Sequence, residues 1–176
     1  DFVQHTIRFR WTPGESTTAY LLIPEGTEKR PAVLSVFYEP ETAIGFNNPH
    51  RDFALQLAKR GFVTLSIGTT HASKANTYAL YYPDIDNVTV QPLSMLGYAA
   101  VNAWHVLASR AEVDEKRIGI VGHSFGGKWA MFAGCLFDRR TVRGLLKGQE
   151  RGRGNGERLF ALVLFELWRR EYAITI

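Results

Sequence analysis

Histidine is missing from this chain after residue 123: all five, His5, His50, His71, His105 and His123, lie at or before it in a sequence of 176 residues. Chemistry that draws an imidazole from the later part of the chain is excluded. Cysteine is scarcer still. Cys135 stands alone, so no internal disulfide can form, and in its apolar setting it reads as a small buried packing residue. No apolar run approaches the roughly 18–20 residues that a spanning helix needs, so no membrane span is expected. Neither an initiator Met nor a signal-like segment stands at Asp1, and the start reads as a processed or cut end of a soluble protein whose compartment stays open. No cofactor motif and no metal-ligand spacing is identified.

What is present is ordinary for a globular domain. With 45% hydrophobic and 22% charged residues, the chain is long enough to bury a core. The net charge of +4 is unevenly placed. Residues 139–176 carry nine basic against four acidic side chains, whereas the other 138 residues carry 12 against 13. The basic balance therefore belongs to the tail, and the main body gives no hint of a polyanionic partner.

The body alternates. HTIRFRW (5–11) and TAYLLIP (18–24) flank TPGEST and read as an antiparallel hairpin. PAVLSVF (31–37) is a nearly continuous apolar run, as in a strand covered on both faces. HRDFALQLAKRG (50–61) reads as a helix closed by Gly61, and FVTLSI (62–67) as the next buried strand. After a long loop, Leu93, Leu96, Gly97, Ala100, Val101, Trp104, Leu107 and Ala108 recur at steps of three and four, the stripe of an amphipathic helix. RIGIVG (117–122) is a fifth buried strand and FGGKWAMFAGCLF (125–137) a helix behind it. This order predicts an α/β fold, a three-layer sandwich around a mostly parallel sheet with right-handed crossovers.

The stretch RIGIVGHSFGGKWAMFAG (117–134) contains the one strong catalytic signal, Gly122-His123-Ser124-Phe125-Gly126 followed by Gly127. In a G-x-S-x-G turn between a strand and a helix, the serine is held in a strained conformation that lifts its Oγ above the sheet edge. Gly122 and Gly126 fit where strand end and helix start run too close for a Cβ. The helix start aims N–H groups at the same place, and that of Phe125 is placed to bind a developing oxyanion. A pentapeptide alone occurs by chance; its position after IGIV and before an amphipathic helix favours a nucleophile elbow over an incidental turn.

These residues resemble the α/β-hydrolase superfamily, most closely its dienelactone-hydrolase-like and acetyl-xylan-esterase-like branches, through VDEKRIGIVGHSFGGKWA and the upstream RGFVTLSI. The resemblance covers roughly residues 5–138. It implies cofactor-free ester hydrolysis through Ser124 on a small-molecule or carbohydrate-linked ester. It also implies a second oxyanion donor from the loop after the third strand, FYEPETAIG, where the backbone N–H of Tyr38 is the candidate and Glu39 adjoins it. An ordinary solvent-facing loop is the alternative for both.

The pattern then breaks. The family order is Ser, then Asp or Glu, then His, and no histidine follows Ser124. His123 is expected to point away from its neighbour, His105 to pack or face solvent beside Trp104, and His50 to precede a helix. His71, in the loop after the fourth strand, falls at the correct sheet edge and is open to three readings: base, substrate contact or plain loop residue. Asp138 comes too early for the family's acid, Asp84 and Asp86 lie in the variable loop, and Glu150, Glu157, Glu166 and Glu171 belong to a segment without family character. No triad acid or histidine is identifiable.

That segment divides the chain into a core over 1–138 and a tail over 139–176, the α/β-hydrolase fold being incomplete at its C-terminal end. The tail reads as a foreign or out-of-frame continuation of a truncated hydrolase. Its RGLLKGQERGRGNGER reads as a solvated linker in preference to a nucleic-acid-binding segment, since Glu150 and Glu157 interrupt it and no aromatics interleave. RLFALVLFELWRREY (158–172) reads as an apolar helix that could seal a sheet edge or seek a partner. Three functions follow: a serine esterase lineage, an inactive or weakened hydrolase lacking its base, and an interaction module using the basic tail. The oligomeric state stays open.

Overall fold

A computed structural model describes residues 1–69, 83, 86–90, 92–137, 139–152 and 154. Strands β1 (Phe2–Thr12) and β2 (Glu15–Pro24) form the expected hairpin, with Ile7 opposite Ala19 and Gly14 at φ 78° in the turn. Such a φ is costly for a residue with a Cβ, which explains the glycine. From Ile7 onward β1 alternates, with Ile7 and Phe9 half-buried and Trp11 fully buried while Arg8 and Arg10 face solvent; Val3–Thr6 are all exposed. The hydrophobic alternation thus sets which face of the hairpin is covered.

β3 (Arg30–Phe37), β4 (Val63–Gly68) and β5 (Val113–Gly122) complete a five-stranded sheet in the order β1-β2-β4-β3-β5. β2 runs antiparallel to β4, whereas β3 lies parallel between β4 and β5, so the sheet is mixed. All six residues of β4 are buried, the hydroxyl residues Thr64 and Ser66 included, as in a strand covered on both faces. Leu34, Val36, Leu65 and Ile67 are wholly excluded from solvent, each contributing about 1.5–3 kcal/mol of burial.

Helices cover both faces. On one, α1 (Pro40–Ala43) and α2 (Phe53–Ala58) enclose a cluster of Leu22, Ala43, Ile44, Ala54 and Ala58. α2 is shorter than the 50–61 pattern at both ends: His50 and Arg51 precede its N-cap at Asp52, and it ends at Ala58 with Lys59 as C-cap, the chain then turning through Gly61 at φ 89°. On the other face, α3 (Pro92–Ala108) buries Leu96, Ala99, Ala100, Ala103 and Leu107. α4 (Phe125–Phe137) adds Trp129, whose buried indole donates from Nε1 to the Leu96 carbonyl at 2.6 Å and stands edge-on to Trp11 at 6.3 Å. Asn102 closes the corner by donating to the Trp11 carbonyl at 2.7 Å.

β5 departs from the reading of 117–122 as a buried strand. It begins at Val113, its register against β3 slips between Arg30 and Ala32, and Ile118, Ile120 and Val121 are only half-buried. Among the described strands it has a neighbour on one side alone, so one edge and part of its faces stay uncovered.

The chain divides into two compact units, Asp1–Ala133 and Gly134–Ile176. In the second, Arg139–Glu150 forms helix α5, which corrects the linker reading of RGLLKGQE. Arg, Leu, Lys, Gln and Glu are all good helix formers, and two interior glycines, costing about 1 kcal/mol each, do not outweigh them. Residues 155–176, with the apolar stretch after Glu157, lie outside the described residues. Among the described residues no helix is long and apolar enough to cross a membrane.

Candidate active site

Ser124 joins the end of β5 to the start of α4 at φ 57°, the one described non-glycine residue with positive φ. That region is small for a residue with a Cβ and persists only where surrounding structure imposes it. Two glycines impose it here. A Cβ on Gly122 would overlap the Gly126 carbonyl, and one on Gly126 would overlap the Val36 carbonyl and lie 3.3 Å from the Phe37 Cα. Strand β5, helix α4 and the end of β3 therefore meet through bare backbone. Gly127 is different: its added Cβ would meet the Gly122 oxygen at 3.6 Å, an ordinary contact, so packing does not demand glycine there.

Ser124 also starts the helix, its carbonyl accepting from the N–H of Gly127 at 2.9 Å and of Lys128 at 3.4 Å. The N–H groups of Phe125 and Gly126 precede the first carbonyl that α4 can offer, and they sit at the positive end of its dipole. Ser124 is exposed, as is His123, whose ring leans on Phe37 at 5.8 Å. Among the described residues no side chain shares a hydrogen bond with Ser124 Oγ.

The loop after β3 lies alongside. The Tyr38 ring stands 5.7 Å from that of Phe125, tilted by 30°, and 5.1 Å edge-on from Phe37. Two residues without a motif hold this loop down. Gly68 ends β4 so close beneath it that a Cβ would lie 2.5 Å from the Pro40 Cδ and 2.7 Å from the Tyr38 carbonyl. Buried Ser66 donates from Oγ to the Pro40 carbonyl at 2.8 Å. The sequence signal for both was slight: a small residue at a strand end and a hydroxyl inside an apolar run.

Glu39 turns to its own loop. Its carboxylate accepts from Thr42 Oγ1 at 3.0 Å and Asn47 Nδ2 at 3.5 Å, bracing the short helix α1. Nearby, the Tyr20 hydroxyl donates to Glu41 at 3.1 Å, and burial, then that carboxylate, holds its pKa above the usual phenol value.

The other candidates are scattered. His5 and His50 are exposed, and His105 is exposed beside Trp104 at a ring distance of 5.1 Å. His71, Asp84, Asp138, Glu157, Glu166 and Glu171 lie outside the described residues, Asp86 is exposed, and Glu150 ends α5 in the second unit. Among the described residues no group of three or more His, Cys, Asp or Glu side chains could hold a metal ion.

Comparison with known proteins agrees with this architecture. The family model described as the dienelactone hydrolase family matches residues 17–141. A Bradyrhizobium protein assigned as a 2-oxo-3-(5-oxofuran-2-ylidene)propanoate lactonase is 32% identical over 140 residues, covering 73% of this chain and 52% of its own. The chain thus spans about half the length of that curated relative. A Bacteroides fragilis structure titled as an acetyl xylan esterase superposes with a TM-score of 0.61 at 18% identity, covering 78% of this chain and 42% of the other. A dienelactone hydrolase-like promiscuous phosphotriesterase from metagenomic libraries gives 0.52 at 22% identity, with 75% and 53% covered. At these identities the two structures speak for the fold alone.

Proposed function

Because the chain belongs to the dienelactone hydrolase family, we propose that it carries the nucleophile half of a carboxylic ester hydrolase, with Ser124 as the attacking residue. The observation that carries the reading is the positive φ of Ser124 between two glycines that no side chain could replace without a backbone clash. A strained, exposed serine at a strand-to-helix turn is the arrangement acyl transfer uses.

In this mechanism the Ser124 Oγ adds to the ester carbonyl carbon while its proton passes to a base. The tetrahedral oxyanion accepts hydrogen bonds from the N–H groups of Phe125 and Tyr38, the alcohol leaves, and water releases the acid from the acyl-serine. The substrate is a small-molecule or carbohydrate-linked ester. Lactones, named for the Bradyrhizobium relative, are internal esters within the same chemistry.

Oxyanion binding and substrate positioning alone sustain about 10³–10⁴-fold acceleration over water when triad members are missing, a background present with or without Ser124, so attack by the serine is read as the rate above it. Hydrolysis of p-nitrophenyl acetate by the full chain and by Ser124→Ala tests the reading: the serine protein should be faster, and equal rates overturn it.

A second reading makes the chain a catalytically inactive member of the family that acts as an interaction module through its basic tail. It is favoured by the unpaired Oγ of Ser124 among the described residues, and by exposed Arg143, Lys147 and Arg151 one helical turn apart on and just after α5. Nucleic acid is not favoured as its partner.

A further inference from the structure

The oxyanion role proposed for Tyr38 uses only its backbone N–H, yet its ring is fixed from two sides. Phe125 lies against it at 5.7 Å and 30°, and Phe37 meets it at 5.1 Å and 79°. Phe37 is itself buried, edge-on to Phe53 at 6.1 Å and capped by the Arg51 guanidinium at 5.9 Å. The loop backbone under Tyr38 is clamped by Gly68 and Ser66. Despite these neighbours, Tyr38 keeps 43% of its surface exposed. Phe125 directly follows Ser124, so the Tyr38 ring packs on the residue next to the serine.

A side chain ordered before binding loses little rotamer freedom when a ligand arrives. An aromatic face also discriminates by shape and charge: its quadrupole favours another ring, offset or edge-on, with centroids about 4.5–7 Å apart. A flexible alkyl chain gains burial on the same surface but must freeze several torsions to lie flat on it.

Resting on the reading of Ser124 as nucleophile, we infer that the Tyr38 ring, backed by Phe125 and Phe37, is a specificity platform that selects esters carrying a planar aromatic ring next to the ester group over alkyl esters. Its role is positioning: the ring holds the carbonyl over Ser124 and takes no part in bond making.

The test measures equilibrium binding to full-length Ser124→Ala, which cannot consume the ligand, by titration under NMR observation. The probes are methyl benzoate, phenyl acetate and, as the alkyl control, methyl hexanoate. Both aromatic esters should bind more tightly than methyl hexanoate. Adding Tyr38→Ala should weaken them by roughly two- to tenfold, while Tyr38→Phe preserves the preference. Tyr38→Leu, which keeps apolar bulk without a ring, should remove the preference even where the alanine protein folds poorly. Equal binding of the three probes, binding of none, or an aromatic preference that survives Tyr38→Leu overturns the inference. Failure of the nucleophile reading appears separately, as equal p-nitrophenyl acetate hydrolysis by the serine and alanine proteins.

Discussion

Gly126→Ala adds one methyl group at the junction of three elements. Its Cβ would press on the Val36 carbonyl, with the Val36 carbonyl carbon at 3.1 Å and the Phe37 Cα at 3.3 Å. All three are backbone atoms at the end of β3, so no rotamer change relieves the contact. The start of α4 must move away from the sheet. Overpacking of this kind costs about 1–3 kcal/mol, against which alanine returns up to about 1 kcal/mol of helix propensity. The net expectation is a loss of about 0.5–2 kcal/mol, read as a lower urea midpoint at unchanged slope. Reactivity should suffer more than stability, because the Phe125 N–H moves with the helix and a displacement of about 1 Å at a reacting centre can cost about 10²-fold. Gly127→Ala is the paired control: its Cβ meets only the Gly122 oxygen at 3.6 Å, so it should leave the protein as stable or up to about 1 kcal/mol more stable. A Gly126→Ala protein as stable and as reactive as the parent would refute the steric argument for this turn.

Other outcomes follow from the same contacts. Gly68→Ala forces Pro40 and the Tyr38 carbonyl away from β4 and should lower hydrolysis of p-nitrophenyl acetate by a larger factor than Ser66→Ala, which removes one hydrogen bond and no volume conflict. Trp129→Phe deprives the Leu96 carbonyl of its 2.6 Å donor inside the core and should cost about 1–3 kcal/mol, seen as a lower melting temperature. Acid should weaken the fold through two surface carboxylates. Hydrogen bonds from Arg117 and from the Lys116 N–H lower the Asp114 pKa, and a backbone hydrogen bond, then Arg110, lower that of Glu112. Folded-state values below the unfolded ones mean stability that is present above about pH 4 and lost as pH falls through the folded values. The Glu112→Gln, Asp114→Asn double variant should therefore lose less of its urea midpoint than the parent on acidification; an identical loss would contradict the assignment.

How far the sequence could be read depended on how local each signal was. The hairpin, the buried run of β4 and the stripe of α3 are carried by neighbours within a few residues, and the structure has them where the periodicity falls. The turn at Ser124 was legible for the same reason, since strand, glycines and helix follow one another directly. Gly68 and Ser66 were not, because what they hold, the loop at Tyr38 and Pro40, is 26 or more residues away in the chain. The exposed face of β5 escaped for a related cause: IGIV is equally apolar in a central strand and at an edge, and only the strand order distinguishes them. Helix α5 was hidden by its composition, in which Arg and Gly resemble linker chemistry although the remaining residues favour a helix.

The reading of Ser124 as nucleophile is tested most directly by treating the full chain with a fluorophosphonate and locating the adduct by peptide mass spectrometry. The account predicts one adduct, on Ser124, absent from Ser124→Ala and slowed in Gly126→Ala. Labelling spread over other serines, or unchanged in Ser124→Ala, would contradict it.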